Sequence, residues 1–520
     1  MQIYAGAQGG DESGLWRELR ARFGAVAPVE VAPGVPGWLL LGYHENLRVL
    51  RDQDRFAADP LAWSRRSGHP GAAGPRNGAL AGDGPEHRRL RSVIVDSLAQ
   101  ISTAQVVPVV ERTARGLIGA ALPTGGMDLI GQYAAPLPAL VLNRLLGLPD
   151  AYGRLLAGLA ADIWSGDPAR AEPATRGLHT YAAGLVERKR ENPGDDLASR
   201  LLAHPAGLSD DEAVEQLLLL WAAGHEPTTH LVGNALYRLL SVPEIAAAYG
   251  GASLPADDFL DYVMWVDPPL RMLTGRYSVR DVELGGAHIR KGEALVLGFG
   301  PAHADPVVTA RADTGDALAL AGNRAHLMWG AGAHGCPAQS LAREIAGTAI
   351  DTLLNRLPRM APAAAPAELR WRSSLSVHGL AELPVVFPAE GERGPGPAPE
   401  RPERERGRPR RMFGRGGGRP RAQGARYQAP AAAPEEPPAP PVRPERPARP
   451  AKPRPAGARY QAPAAAPEEP PAPPVRPERP ARPAKPRPAG ARYQAPAAPA
   501  APSLDALDAL LEKRGDDGPG

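Results

Sequence analysis

The chain has 520 residues, with 60 Lys+Arg against 57 Asp+Glu and a formal net charge of only +3. So small an excess argues against a chain-wide surface for nucleic acid. One cysteine excludes an internal disulfide framework and suits a reducing cytoplasm. The opening residues, MQIYAGAQGGDESG, hold neither a basic run nor an apolar stretch, so no secretory signal or membrane anchor is expected.

Residues 1–390 are long enough for one large enzyme fold or two ordinary domains. Within DGPEHRRLRSVIVDSL, Pro85 and Glu86 suit a helix start. His87 and Arg91 lie four apart and so share a helical face. That face reads either as a solvated basic surface or as a pair of partners for buried carboxylates. Further on, Ser209-x-x-Glu212 is a capping box before the apolar run LLLLWAA. It predicts a helix from Ser209 to about Leu240, interrupted by Gly224, His225, Glu226, Pro227 and Thr228. A proline there is expected to kink the helix. Glu226 then suits either proton delivery or the backbone groups freed at the kink. The segment WVDPPLRMLTGRYSVRDVELGGAHIRKGEALVLGFG alternates apolar residues between Gly-Gly and Lys-Gly turns and predicts short strands.

The lone cysteine lies in HLMWGAGAHGCPAQSLAREIAGTAIDTLL. Pro337 after it suits a first helical turn, and Leu341, Ile345, Ala349 and Leu353 recur at helical spacing. Cys336 is therefore expected at a helix mouth, where the positive end lowers a thiol's pKa. Glycines at 330, 332 and 335 allow a close backbone approach to a flat group. A thiolate in such a loop suits one soft bond, such as the axial bond to haem iron. Three other readings stand beside it. Cys336 alone suits a small core residue, and with His326 and His334 it is three-quarters of a zinc set. Gly330-x-Gly332-x-x-Gly335 also has dinucleotide-loop spacing, without a clear βαβ unit around it.

From about Gly391 the composition turns to Pro, Ala, Arg and Glu, and residues 391–502 are expected to be disordered with polyproline II character. Residues 424–456 recur identically at 457–489, which reads as duplication of a linker. The Arg-rich stretch 401–421 is a candidate for acidic partners, with a soluble spacer the preferred reading. Residues 503–514 predict a short amphipathic helix capped by Ser503, which orders on docking to a partner or to the preceding domain.

The landmarks, in this order, resemble the cytochrome P450 superfamily over roughly residues 10–390. Trp329-Gly-Ala-Gly-Ala-His-Gly-Cys336 followed by Leu341-Ala-Arg343 is similar to the P450 haem loop, with Trp329 for the usual Phe and Ala338 for a usual glycine. The resemblance implies a mainly α fold with small β-sheets and haem b on Cys336. It implies propionate contacts from His87, Arg91, Arg276 and His334. It implies insertion of one atom of O₂ into a small organic substrate, with electrons from NAD(P)H through ferredoxin reductase and ferredoxin. Ala223-Gly224-His225-Glu226 matches the distal-helix motif, but Pro227 stands at its threonine and Thr228 follows one place later. Glu226 and Thr228 are the implied proton-path residues.

The chain departs from the family at Glu-x-x-Arg, where it has Tyr262 and Trp265. These are three apart and can pack together while offering an OH and an N–H. Asp261-x-x-x-Trp265 resembles a small set of actinomycete P450s that share this departure and are associated with conservon operons. A GC-rich source agrees with five lysines among the 60 basic residues. That resemblance implies a second reading, a haem-binding regulatory or assembly component of a conservon GTPase complex, with the tail meeting conservon proteins.

Overall fold

A computed structural model describes residue 3 and residues 12–67, 78–148, 150–163, 168–309 and 318–389. The expectations for 391–502, for the tandem repeat and for the 503–514 helix lie outside the described residues. In chain order, helix α1 (Ser13–Phe23) leads to strands β1 (Val26–Ala32) and β2 (Val35–Leu40). Then come α2 (Tyr43–Arg51), β3 (Phe56–Ala57), α3 (Leu61–Ser67), α4 (Gly84–Ala99), α5 (Thr103–Ala121) and β4 (Gly126–Asp128). The helical middle follows: α6 (Pro136–Leu145), α7 (Asp150–Ile163), α8 (Pro168–Glu191), α9 (Leu197–Leu202), α10 (Asp210–Ser241), α11 (Pro243–Gly250) and α12 (Ala256–Val266). Strands β5 (Met272–Ser278), β6 (Val282–Leu284), β7 (Ala287–Ile289) and β8 (Ala294–Gly298) precede α13 (Phe299–His303) and α14 (Pro306–Thr309). Helix α15 (Gln339–Arg356) and strands β9 (Ala361–Pro362) and β10 (Pro384–Val386) complete the described part.

Helix α10 organises the rest. Ser209 caps it as the sequence predicts: its Oγ accepts the Glu212 N–H at 3.2 Å, and Glu212 Oε2 accepts the Ser209 N–H at 2.9 Å. Its 32 residues run unbroken through Pro227, a length of about 48 Å. The two ends serve different cores. Val214, Leu217 and Trp221 pack with Leu90 of α4, Leu185 of α8 and Leu197 of α9. Leu231, Val232, Ala235 and Leu236 pack with Ile118 of α5, Leu137 of α6 and Ile350 and Leu353 of α15.

The larger sheet has the order β1-β2-β8-β5-β3, with β2 and β8 parallel and the other pairs antiparallel. Strands β6 and β7 form a hairpin around Gly285-Gly286, both at positive φ, where the sequence places a turn. In β5 the register against β8 shifts between Leu273 and Arg276, at Gly275 with φ +95°. Such a bulge re-aims the side chain that follows it, here Arg276.

Asn46 ties this sheet to α2. It is fully buried; its Nδ2 donates to Leu40 O at 3.0 Å and Gly42 O at 2.8 Å, and its Oδ1 accepts the Gly298 N–H at 2.9 Å. Asn46→Leu keeps the volume but strands three buried backbone groups, each costing about 1–3 kcal/mol. The expected loss is about 3 kcal/mol or more, read as a lower urea midpoint at unchanged slope.

Two other buried groups set a pH dependence. Burial, with His326 nearby, lowers His303 from 6.5 to about 3. Burial also lowers His378 to about 4, against an opposing hydrogen bond with Asp267. Between pH 6.5 and 4 the unfolded chain therefore binds protons that the folded chain refuses, so stability rises with pH across that window. Denaturation midpoints are expected to fall steadily from pH 6.5 downward. A flat profile between pH 6.5 and 5 contradicts neutral burial of these rings.

Candidate active site

The cysteine loop closes on itself before α15 begins. Gly330 and Gly332 take positive φ, and a Cβ on Gly332 would come within 2.6 Å of Leu50 O in α2. That glycine therefore serves a backbone approach between protein segments. Gly330 N–H donates to Leu327 O at 2.8 Å, and Cys336 N–H donates to Trp329 O at 2.7 Å. The expected helix mouth lies further on: α15 starts at Gln339, three residues beyond Cys336. The expected lowering of the thiol is also corrected, because burial pushes Cys336 up against the Ala338 N–H and the Arg91 charge.

Around the loop lies a basic cluster, with His87 and Arg276 buried and Arg91 and His334 half-buried. From one face of α4, His87 is 2% exposed, and Arg91 Nη2 donates to Gly335 O. The His87 and His334 rings stack at 4.1 Å and 29°. Arg276, beyond the β5 bulge, is 5% exposed and donates to Gly275 O at 2.7 Å. Burial, then the His334 and Arg91 charges, lower His87 to about 4, with Asp83 opposing. Burial also lowers Arg91 and Arg276.

The carboxylate facing this cluster is Asp83, which the sequence reading did not single out. Its Oδ2 accepts the Ala58 and Asp59 N–H groups at 2.8 and 2.9 Å, and Oδ1 lies 3.5 Å from His334 Nε2. Asp83 stands at the N-cap of α4, yet makes no side-chain cap. Its position in DGPEH signalled only the helix start. Asp83 thus bears on His87, His334 and Arg276, while Arg91 bears on Cys336 and the Gly335 carbonyl, and His87 Nε2 has no hydrogen-bond partner among the described residues. Burying this donor set without further anions is costly. It fits a flat group bearing two carboxylates beside a thiol.

Glu226 and Thr228 belong to a different cluster. No hydrogen bond, ion pair or ring contact among the described residues links them to the Cys336 group. Glu226 Oε2 lies 3.0 Å from His230 Nε2 one turn along α10, and Arg372 Nη1 lies 3.5 Å from the same oxygen. Arg372 is also 3.4 Å from His230 Nε2. Burial works to raise the Glu226 carboxyl, but the His230 hydrogen bond and the charges of His230, Arg372 and His225 hold it below its ordinary value. These side chains, and not the backbone around Pro227, are its partners. The Glu226/His230 spacing was visible in the sequence; Arg372, 146 residues away, was not. Thr228 is buried, and His225 bonds Ala135 O at 2.9 Å while stacking on Trp221 at 5.0 Å.

At the Glu-x-x-Arg positions, Trp265 uses its N–H on Asn323 O at 2.7 Å. Tyr262 contributes ring packing, 6.4 Å from Phe259.

The chain is 31% identical over 396 residues to the cytochrome P450 monooxygenase PikC of Streptomyces venezuelae, covering 73% of this chain and 92% of that one. The chain belongs to the cytochrome P450 family. It is 32% identical over 368 residues to the vitamin D(3) 25-hydroxylase of Pseudonocardia autotrophica, covering 68% and 89% of the two chains. The P450 structure CYP154C4 from a Streptomyces species matches at TM-score 0.65 and 30% identity, covering 72% of this chain and 95% of that one. No protein-family model matches. The described part thus has the P450 fold, mainly α with small sheets. The protein is a P450 monooxygenase, an oxidoreductase whose cofactor is haem b. No single helix among the described residues is long and apolar enough to cross a membrane.

Proposed function

We propose that Cys336 is the proximal thiolate of this P450, that His87, Arg91, Arg276 and His334 hold the haem propionates, and that one atom of O₂ is inserted into a small organic substrate. The observation that carries the assignment is the excess of buried cationic donors around a lone cysteine. Haem bound through a thiolate supplies O₂ binding and favours O–O cleavage. The chain's own residues do the rest. Arg91 and Arg276 come from α4 and β5, so two elements orient the ring from different directions. Asp83 keeps part of the local positive charge compensated without using up the donors.

On α10, Glu226 and His230 form a buried acid–base pair, and Arg372, with its side chain 26% exposed, reaches from that pair toward water. Glu226 holds and passes protons there, and the Thr228 hydroxyl is the weaker candidate beside it. Ferredoxin and its NAD(P)H-dependent reductase are proposed as the electron source, as the family resemblance implies. The domain is assigned to 1–390, and the segments 391–502 and 503–514, set apart on sequence alone, follow it outside the described residues. The cytoplasm is the proposed location. PikC and the vitamin D(3) hydroxylase support monooxygenase chemistry over a regulatory or assembly role in a conservon complex.

A ferrous–CO difference spectrum tests the ligand. The wild-type chain is expected to give the long-wavelength thiolate band, and Cys336→Ser to lose it while still folding. Arg91→Ala and Arg276→Ala are each expected to weaken haem affinity by about tenfold or more, since a charge-assisted hydrogen bond contributes about 1.5–3 kcal/mol. Haem titration of the stripped protein reads that change.

Glu226→Gln keeps the shape and removes the proton. It is expected to slow substrate-dependent turnover by about 10²-fold, divert electrons to peroxide and enlarge the solvent isotope effect. Unchanged coupling and isotope effect contradict the assignment.

A further inference from the structure

The run from Asn323 to Trp329, which delivers the chain to Cys336, is gripped along its length by side chains from other elements. Trp265 takes Asn323 O, and the Tyr43 OH donates to Ala325 O at 2.6 Å. The Leu327 N–H donates to His303 Nε2 at 2.8 Å. The charged part of the grip converges on one group, Asp261 of α12, which is fully buried. His326 Nε2, also buried, lies 3.0 Å from Asp261 Oδ1. Arg343 Nη2 of α15 donates to the same oxygen, and Arg324 Nε lies 3.6 Å from Oδ2.

From Arg343 the contacts lead to the cysteine in two steps. The Arg343 guanidinium sits over the Trp329 ring, 5.7 Å from its centroid, and the Trp329 carbonyl accepts the Cys336 N–H at 2.7 Å. Tyr262 and Trp265, one and four places further along α12, add packing and one neutral hydrogen bond. A fully buried carboxylate is retained only where cations and donors compensate it. Here those partners come from α15, on one side of Cys336, and from the run on the other. Removing the charge releases both at once.

We propose that Asp261 is a positioning residue for the iron ligand: by tying His326 and Arg343 to one carboxylate it fixes Trp329 and, through its carbonyl, the Cys336 backbone. This rests on Cys336 being the thiolate ligand. It places the ligand's support on the acid at position 261 and not on polar groups at 262 and 265.

The test uses the full-length, haem-loaded chain and reads the ferrous–CO spectrum as the ratio of thiolate-ligated to thiolate-lost band. Asp261→Asn is expected to lower that ratio by about tenfold or more, the effect of one lost charge-assisted hydrogen bond. Arg343→Gln is expected to lower it in the same direction, Arg343→Lys to restore most of it, and Tyr262→Phe to leave it unchanged. A purely structural role for Asp261 lowers the melting temperature and leaves the ratio alone; that result overturns the proposal. If Asp261→Asn does not fold, the Arg343→Gln ratio decides in the same way. Should the wild-type chain lack the thiolate band, the ligand assignment fails; should all variants keep it, only the role of Asp261 fails.

Discussion

The arrangement around Cys336 depends on keeping His87 and Arg276 buried, with His334 and Arg91 half-buried beside them, and on Asp83 as the one carboxylate that reaches the two histidines and Arg276. Uncompensated buried charge is among the most expensive features a fold can carry. Rigid elements must therefore hold each group in place. Helix α4 is anchored by Leu90, Val93 and Ile94 in the core that it shares with α8 and α9. Arg276 rides on a strand paired on both sides by β8 and β3. His334 belongs to a loop whose Gly332 presses against α2. Three separately anchored segments thus present cationic donors to one place, and haem b, with two carboxylates, offsets their burial.

Helix α10 carries a second constraint because it must belong to two cores. Its N-terminal half packs with α4, which carries His87 and Arg91, and its C-terminal half with α15, which follows Cys336. Glu226, Pro227 and Thr228 lie where the helix passes from one core to the other. The Glu226 carboxylate is tolerated there because His230 and Arg372 pair with it. The proline leaves the helix unbroken, since tertiary packing at both ends outweighs the single hydrogen bond it removes.

What the sequence made legible was local. The capping box at Ser209, the Gly-Gly hairpin at 285–286, the start of α4 near Pro85 and the shared face of His87 and Arg91 all depend on residues a few places apart. Asp83, Arg372 and the pairing of His326 with Asp261 depend on contacts across tens to hundreds of residues, which no periodicity encodes. The error at Cys336 has the same origin. Proline after cysteine suggested a helix mouth, but two turn residues intervene, and the tertiary burial of the thiol outweighs the local N–H and the Arg91 charge. Gly332 likewise has a close neighbour that no local pattern announces, the backbone of Leu50.

Asp261 and Glu226 show how one chemistry supports two tasks. Each is a buried carboxylate held below its ordinary value despite burial, by a histidine and an arginine. They differ in what each carboxylate joins. Asp261 gathers three cations from segments on both sides of Cys336: Arg324 and His326 from the run before it and Arg343 from the helix after it. Losing that charge would free both flanks of the cysteine, which is what makes it a tether. Glu226 has one partner, His230, on its own helix and one, Arg372, from a single other segment, so it ties fewer elements together. Proton handling is assigned to α10 because Glu226 and Thr228 stand at its distal-helix motif, and ligand positioning to α12 because Asp261 spans the two flanks of Cys336.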